Sequence, residues 1–267
     1  MKALKEKLKN GYISILDYFN EAFKLFWHLI RKEKKWILLI FAILLITAII
    51  EKKLQTITLL NSKINLEYIF ISHFLTYPLY ATYWVLYRKI IFKLTDRNEN
   101  LNILKSYIKA FITAIIISIP ILIITICSFY IDFLKYSHSY ELISLISQIS
   151  LSVIIFSVVV ACIFIYFLQV HMSKDLPLKE TLNYTLEVSQ SNRWRYIVCF
   201  LIESAAVFFI KTIIKTVTAF FMILLDLNIE SIGIIIIKTF IENFVPALSA
   251  IYSISLISII FVNVDYQ

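Results

Sequence analysis

Glycine is nearly absent from this 267-residue chain, which contains only Gly11 and Gly233. Two isolated glycines cannot build a phosphate-cradling P-loop, a GxGxxG dinucleotide turn or a GxSxG nucleophile elbow, since each needs several positions where the backbone tolerates no side chain. Charge is scarce too. Asp, Glu, Lys and Arg make up 16% of the residues, against about 25% in an ordinary soluble domain. A water-soluble protein of this length would lack the polar coat its core requires. The three cysteines, Cys127, Cys162 and Cys199, are far apart without CxxC spacing, which reads as reduced, packed thiols. His28, His73, His138 and His171 show no HExxH or other close ligand pair, so no metal or cofactor is expected. The N-terminus has no apolar run followed by a small-residue cleavage site, and the mature chain is expected to begin near Met1.

What is present is hydrophobicity: 60% apolar residues and a mean hydropathy of +0.82. A helix needs about 20 apolar residues to cross a ~30 Å hydrocarbon layer. Six stretches approach that length, at about 36–50, 66–87, 110–131, 145–170, 196–217 and 243–262. The first is short and must rely on snorkelling Lys34 and Lys35, local thinning or continuation past Glu51. Pro78, Pro120 and Pro246 can kink their spans.

Lysine and arginine set the orientation, because basic residues near helix ends resist translocation. Residues 1–35, 88–109 and 171–195 hold 19 of the 26 basic residues. The opposite loops hold four, Lys52, Lys53, Lys63 and Lys135, and three lysines fall inside spans. Both termini are therefore expected in the cytoplasm. The net charge of +8 is explained by topology rather than nucleic acid, because the basic residues never share a stripe with exposed aromatics. Only five basic residues are Arg, and Ile, Phe, Tyr, Asn and Lys abound, as in AT-rich bacterial genomes; the expected location is a bacterial cytoplasmic membrane.

Within 1–35, Tyr12, Ile15, Leu16, Phe19, Ala22, Phe23, Phe26, Leu29 and Ile30 recur every three or four residues, opposite Ser14, Asp17, Glu21, Lys24, His28 and Arg31. This predicts an amphipathic helix, lying in the headgroup plane or packed on the cytoplasmic end of the bundle. Similar stripes precede the third span (Leu101, Leu104, Tyr107, Ile108, Phe111) and the fifth (Leu178, Leu182, Thr185, Ser189), the latter introduced by Pro177. The expected fold is an all-α membrane protein. Six transmembrane helices form three hairpins, each preceded by a cytoplasmic interfacial helix, with residues 1–35 as the basic N-terminal region and 36–267 as the transmembrane domain.

The stretch from Leu178 to Arg195, LKETLNYTLEVSQSNRWR, resembles the "LKEAL..S..L...N.W" segment of several largely uncharacterised bacterial six-span families. Ile15 to Phe26, ILDYFNEAFKLF, looks like their N-terminus. One relative is the membrane domain fused to glycerophosphodiester phosphodiesterases. The resemblance implies architecture; no phosphodiesterase domain accompanies it, and it transfers no active-site residue.

Ionisable residues inside the bilayer are costly and mark candidate sites. Counting about 1.5 Å per residue from Arg195 puts Glu203 roughly 12 Å beyond the cytoplasmic boundary. Tyr80, Ser118, Cys162 and Ser255 fall at similar depth by the same count, so they could form a polar layer with Glu203. That carboxylate could bind a proton or cation in a transport path, or donate as a neutral group to Ser or Tyr in packing. Lys215 and Glu242 would lie level in an antiparallel hairpin turning near 229, as an outer-boundary ion pair; Lys211 and Lys238 lie nearby, and Lys238 and Glu242 are also four apart. His73 could titrate near neutral pH or simply pack. Ser157 and Ala161, like Ser249, Ala250 and Ser253, allow close helix approach. With no nucleophile, base or metal cluster visible, the expected role is non-enzymatic: a membrane scaffold or organising component that meets anionic lipid headgroups at its cytoplasmic face. A permease or exporter subunit coupled through Glu203 is the alternative.

Overall fold

The computed structural model describes residues 2–61, 66–96, 102–136, 140–224 and 232–267, with side chains described for all of these except 2, 51–61, 66–70, 72–73, 129–130, 132–136, 140, 221–224 and 232–243. All regular structure among them is helical: α1 (Lys2–Lys9), α2 (Ile15–Lys32), α3 (Lys34–Asn61), α4 (Leu66–Leu94), α5 (Ile103–Tyr136), α6 (Tyr140–Ile163), α7 (Phe167–Ser173), α8 (Leu178–Leu224) and α9 (Ile232–Asp265). Four contain stretches long and apolar enough to cross a membrane: Ile103–Ser128, Glu141–Ile163, Leu178–Phe220 and Phe244–Asp265.

Helix α2 begins at an N-cap, Ser14, whose hydroxyl oxygen accepts from the Asp17 backbone N–H at 3.2 Å. Asp17 in the first turn and Arg31 and Lys32 in the last both complement the helix dipole. The helix packs on α9 through a face that includes Tyr18, Ala22, Leu25, Phe26 and Leu29, all buried. Leu16, Phe23 and Trp27 form an adjoining strip that stays exposed. One residue outside helical geometry, Glu33 (φ −110°, ψ 35°), separates α2 from α3.

The stripes expected as separate segments before the third and fifth spans are instead the first turns of α5 and α8, Leu101 lying outside the described residues. Neither Pro nor Gly occurs between Leu178 and Leu224, so nothing stops α8. Its 47 residues make a rod of roughly 70 Å, more than twice the ~30 Å of hydrocarbon. The buried stripe near its start is Thr181, Thr185, Val188, Ser189 and Asn192, while Leu178 is exposed. Thr185 and Ser189 donate to the carbonyls four residues back, at 2.6 Å each, so these small hydroxyls face neighbouring elements already satisfied. The stretch drawn as 145–170 is likewise divided. Helix α6 ends at Ile163, and a turn over Phe164–Tyr166 leads into α7, held by the fully buried Tyr166 hydroxyl donating to the Asn192 carbonyl at 3.0 Å.

Helix α9 is the centre of the packing, touching α1, α2, α3, α4, α7 and α8. In the most apolar 18 residues of its Phe244–Asp265 stretch 56% are buried, whereas Glu141–Ile163 of α6 has no buried residue. A helix apolar on every side needs enclosure by its neighbours or by lipid; α9 finds it within the bundle, whereas α6 leaves its apolar surface outward. Sequential helices pack as neighbours: α3 with α4, α4 with α5, α5 with α6 and α8 with α9. Ion pairs gather the residue before α3, the end of α4, the start of α5, the end of α7 and the end of α9 at one end of the bundle.

Candidate functional site

That end is tied together by ion pairs. The carboxylate of Glu33, 8% exposed, accepts from Lys89 at 2.6 Å and Lys93 at 2.5 Å, both on α4. Burial opposes its ionisation, but the two lysines prevail and hold its pKa below the ordinary value. Arg88 forms a fork with Asp175, in the loop before α8, through contacts of 3.1 and 2.5 Å, and Lys109 of α5 reaches the same carboxylate at 3.4 Å. The guanidinium hydrogen bonds lower the Asp175 pKa to about 2, against a smaller opposing effect of burial. Beside them, burial and the positive charge of Lys109 bring His171 down to about 4. Lys174 pairs with Asp265 at 2.8 Å and lies 3.7 Å over the Tyr184 ring, whose hydroxyl donates to the same Asp265.

The N-terminal region joins the same network. Lys7 bridges Asp17 (2.8 Å) and Glu21 (3.3 Å), Lys24 also reaches Glu21 (2.9 Å), and Lys5 pairs with Asp96. Asn263, fully buried at the end of α9, accepts from Ile13 N–H (3.3 Å) and Tyr18 Oη (2.6 Å) and donates to the carbonyls of Leu8 (2.8 Å) and Gly11 (2.9 Å). Gly11 has φ +137°, a backbone state that side chains disfavour. The Arg195 guanidinium donates to the Ile13 carbonyl and lies 4.1 Å over Tyr12.

After these pairings, Arg31, Lys32, Lys34 and Lys35 are four exposed cations with no carboxylate partner among the described residues. They flank the α2–α3 pivot, beginning about one helical turn beyond the exposed Trp27 and two beyond the exposed Phe23.

Deeper in the bundle, Glu203 of α8 is 6% exposed and accepts a hydrogen bond from Ser253 of α9. Of the residues placed at its depth by counting, Ser255 is fully buried and donates to the Ile251 carbonyl of its own helix (2.9 Å). Ser118 shares a 2.7 Å hydrogen bond with Tyr77, Tyr80 is exposed, and Cys162 is exposed. The small-residue spacing assigns Ser253 to close helix packing; helix face, which depth counting does not give, aims it at Glu203. Lys215 is exposed. The side chains of His73, Lys238 and Glu242 lie outside the described residues.

A cavity of about 380 Å³ lies between α4, α5 and α7. Its wall is mainly apolar, with Tyr77, Trp84, Ala114, Ile117, Ile121 and Met172 contributing, and Glu203 is not part of it. No group of three His, Cys, Asp or Glu placed to hold a metal occurs among the described residues.

No family model matches the sequence, and no curated protein or solved structure does.

Proposed function

We propose that this chain is a six-span protein of a bacterial cytoplasmic membrane, with both termini in the cytoplasm, and that it acts without catalysis as a scaffold or membrane-organising component. Its cytoplasmic face engages anionic lipid headgroups through the α2–α3 junction. The carrying observation is the quartet Arg31, Lys32, Lys34 and Lys35, exposed and without a carboxylate partner among the described residues, beside exposed Phe23 and Trp27. Other lysines at this end, such as Lys7, Lys24, Lys89 and Lys93, are engaged by carboxylates. Cations that survive pairing, next to aromatics that prefer the interface, are what a headgroup layer attracts.

Topology supports this orientation. Residues 8–18 hydrogen-bond to Asn263, so the two ends of the chain share one side of any bilayer and the number of crossings between them is even. Six crossings, paired as three hairpins, use α3 and α4 in addition to the four helices that meet the length and hydropathy requirement. The likeness to the membrane domain fused to glycerophosphodiester phosphodiesterases belongs to this proposal as architecture alone.

The test is enrichment of a fluorescent anionic lipid around the full-length protein in mixed vesicles, read by energy transfer from Trp27 as the sole indole, with Trp36, Trp84 and Trp194 changed to Phe. Replacing all four cations by Gln should remove an enrichment that also falls with salt. Enrichment indifferent to both changes refutes the reading.

Glu203 favours a second reading, a permease or exporter subunit, because a buried carboxyl held by one serine can exchange a proton. Solute- or proton-dependent flux in proteoliposomes, lost in a folded Glu203→Gln variant, would place transport first.

A further inference from the structure

We propose that the cavity between α4, α5 and α7 holds one acyl chain of an anionic phospholipid from the cytoplasmic leaflet, with its phosphate against Arg88, Lys109 and His171. At about 380 Å³ it falls within the range of roughly 300–1,000 Å³ typical of small-molecule pockets.

The wall favours a hydrocarbon over a polar solute, because it is mainly apolar and the hydroxyls of Tyr77, Ser118 and Thr113 are already engaged. Ser118 and Tyr77 bond one another at 2.7 Å, and Thr113 donates to the Lys109 carbonyl at 2.7 Å. Apart from the Tyr80 hydroxyl at the exposed rim, what faces the space is mainly ring and aliphatic surface. Entry is sideways: Tyr80, Ile117 and Ile121 on the rim are 52%, 42% and 56% exposed, on the surface that a bilayer would cover.

All three lining helices run within about one turn into a charged cluster. Arg88 follows Trp84 by four residues, Lys109 precedes Thr113 by four, and His171 adjoins Met172. Arg88 and Lys109 share the single carboxylate of Asp175, so the cluster carries one positive charge in excess. Arg88 Nε and His171 Nδ1 are buried and find no hydrogen-bond partner among the described residues. Buried polar atoms without partners are uncommon in proteins; of the five among the described residues, these two lie on helices that line the cavity, within about one turn of its wall. A phosphate oxygen would supply an acceptor for the guanidinium, balance the excess charge and leave its chain directed into the cavity. Lys105, exposed one turn further along α5, extends the cationic side.

This inference rests on the membrane orientation proposed above but not on the α2 cations. The test uses the full-length chain with Trp27, Trp36 and Trp194 changed to Phe, so that Trp84 in the cavity wall is the sole indole. The protein is reconstituted in phosphatidylcholine vesicles containing small fractions of acyl-brominated phosphatidylglycerol, phosphatidylcholine or free fatty acid. Half-maximal quenching of Trp84 is expected at about fivefold lower mole fraction for phosphatidylglycerol than for phosphatidylcholine, the ratio that one extra surface cation supplies. Ala114→Phe, which fills the cavity, should abolish that early quenching. Lys109→Gln, at a partly exposed side chain, should bring the two phospholipids together. A variant with Arg31, Lys32, Lys34 and Lys35 changed to Gln should keep the Trp84 preference, which separates this site from the headgroup surface. Equal quenching by both phospholipids in the parent protein, an unchanged preference in Ala114→Phe, or earlier quenching by the fatty acid would overturn the proposal.

Discussion

Tyr18 and Asn263 are 245 positions apart in the chain, yet the tyrosine hydroxyl donates to the asparagine side chain at 2.6 Å. The same amide accepts from Ile13 N–H and donates to the carbonyls of Leu8 and Gly11, so one buried residue at the end of α9 closes the turn between α1 and α2. Gln267 adds a 3.3 Å hydrogen bond to Leu8.

Replacing Asn263 by Ala leaves several buried backbone and hydroxyl groups unpaired, and each such group costs about 1–3 kcal/mol when water cannot reach it. Asn263→Ala should therefore lower the thermal midpoint of the detergent-solubilised protein and expose residues 9–14 to protease. Asn263→Asp, which retains an acceptor for Tyr18 but loses the donor to Leu8 and Gly11, should fall between. A midpoint unchanged in both variants would show that the clasp carries no stability.

Acid should destabilise the bundle in two separate windows. Folding lowers His171 from 6.5 to about 4, so between those values the unfolded chain binds more protons and stability falls as pH falls. Folding lowers Asp175 from 3.8 to about 2, so its stabilising contribution is present above the higher value and is lost as pH drops through the lower. Thermal midpoints measured from pH 7 to pH 2 should lose the upper window in His171→Phe and the lower in Asp175→Asn.

Glu33 stands alone between α2 and α3 and receives both Lys89 and Lys93. Because these lysines are partly exposed, a double-mutant cycle of Glu33→Gln with Lys89→Met should give a coupling of about 0.5–1 kcal/mol, and one with Lys93→Met a similar value. Glu33→Gln should also loosen the angle between the two helices, measurable as a broadened distance distribution between spin labels at positions 20 and 45. A coupling of zero in both cycles would remove Glu33 as the pin of this pivot.

Reporter fusions test sidedness. A fluorescent protein that folds only in the cytoplasm should be bright at either end of the chain, and a periplasm-dependent phosphatase inactive at both. Opposite signals at the two ends would contradict the hydrogen bonds between residues 8–18 and Asn263.

The four membrane-length apolar helices were legible because hydrocarbon demands long uninterrupted stretches, and the basic residues beside them were legible because charge resists burial. The amphipathic pattern of residues 12–30 was equally visible, since a period of 3.6 survives without any tertiary information. Depth could be counted too, which is why Glu203 stood out. Its partner could not be read: Ser253 and Ser255 differ by two residues in depth but by about 200° around α9, and only the first meets Glu203. Nor could the sequence distinguish the enclosed α9 from the exposed α6, as both are continuous apolar runs of adequate length.

Composition and periodicity by themselves determined that this protein is all-helical, that its helices suit a bilayer and where its charges cluster, because these properties depend on solvent preference summed along the chain. The pairing of Lys89 and Lys93 with Glu33, the cavity beside Trp84 and the closure of both ends by Asn263 were decided only by the tertiary structure. Each depends on the rotation of one helix against another, and rotation is set by side-chain packing between distant segments that no local pattern encodes.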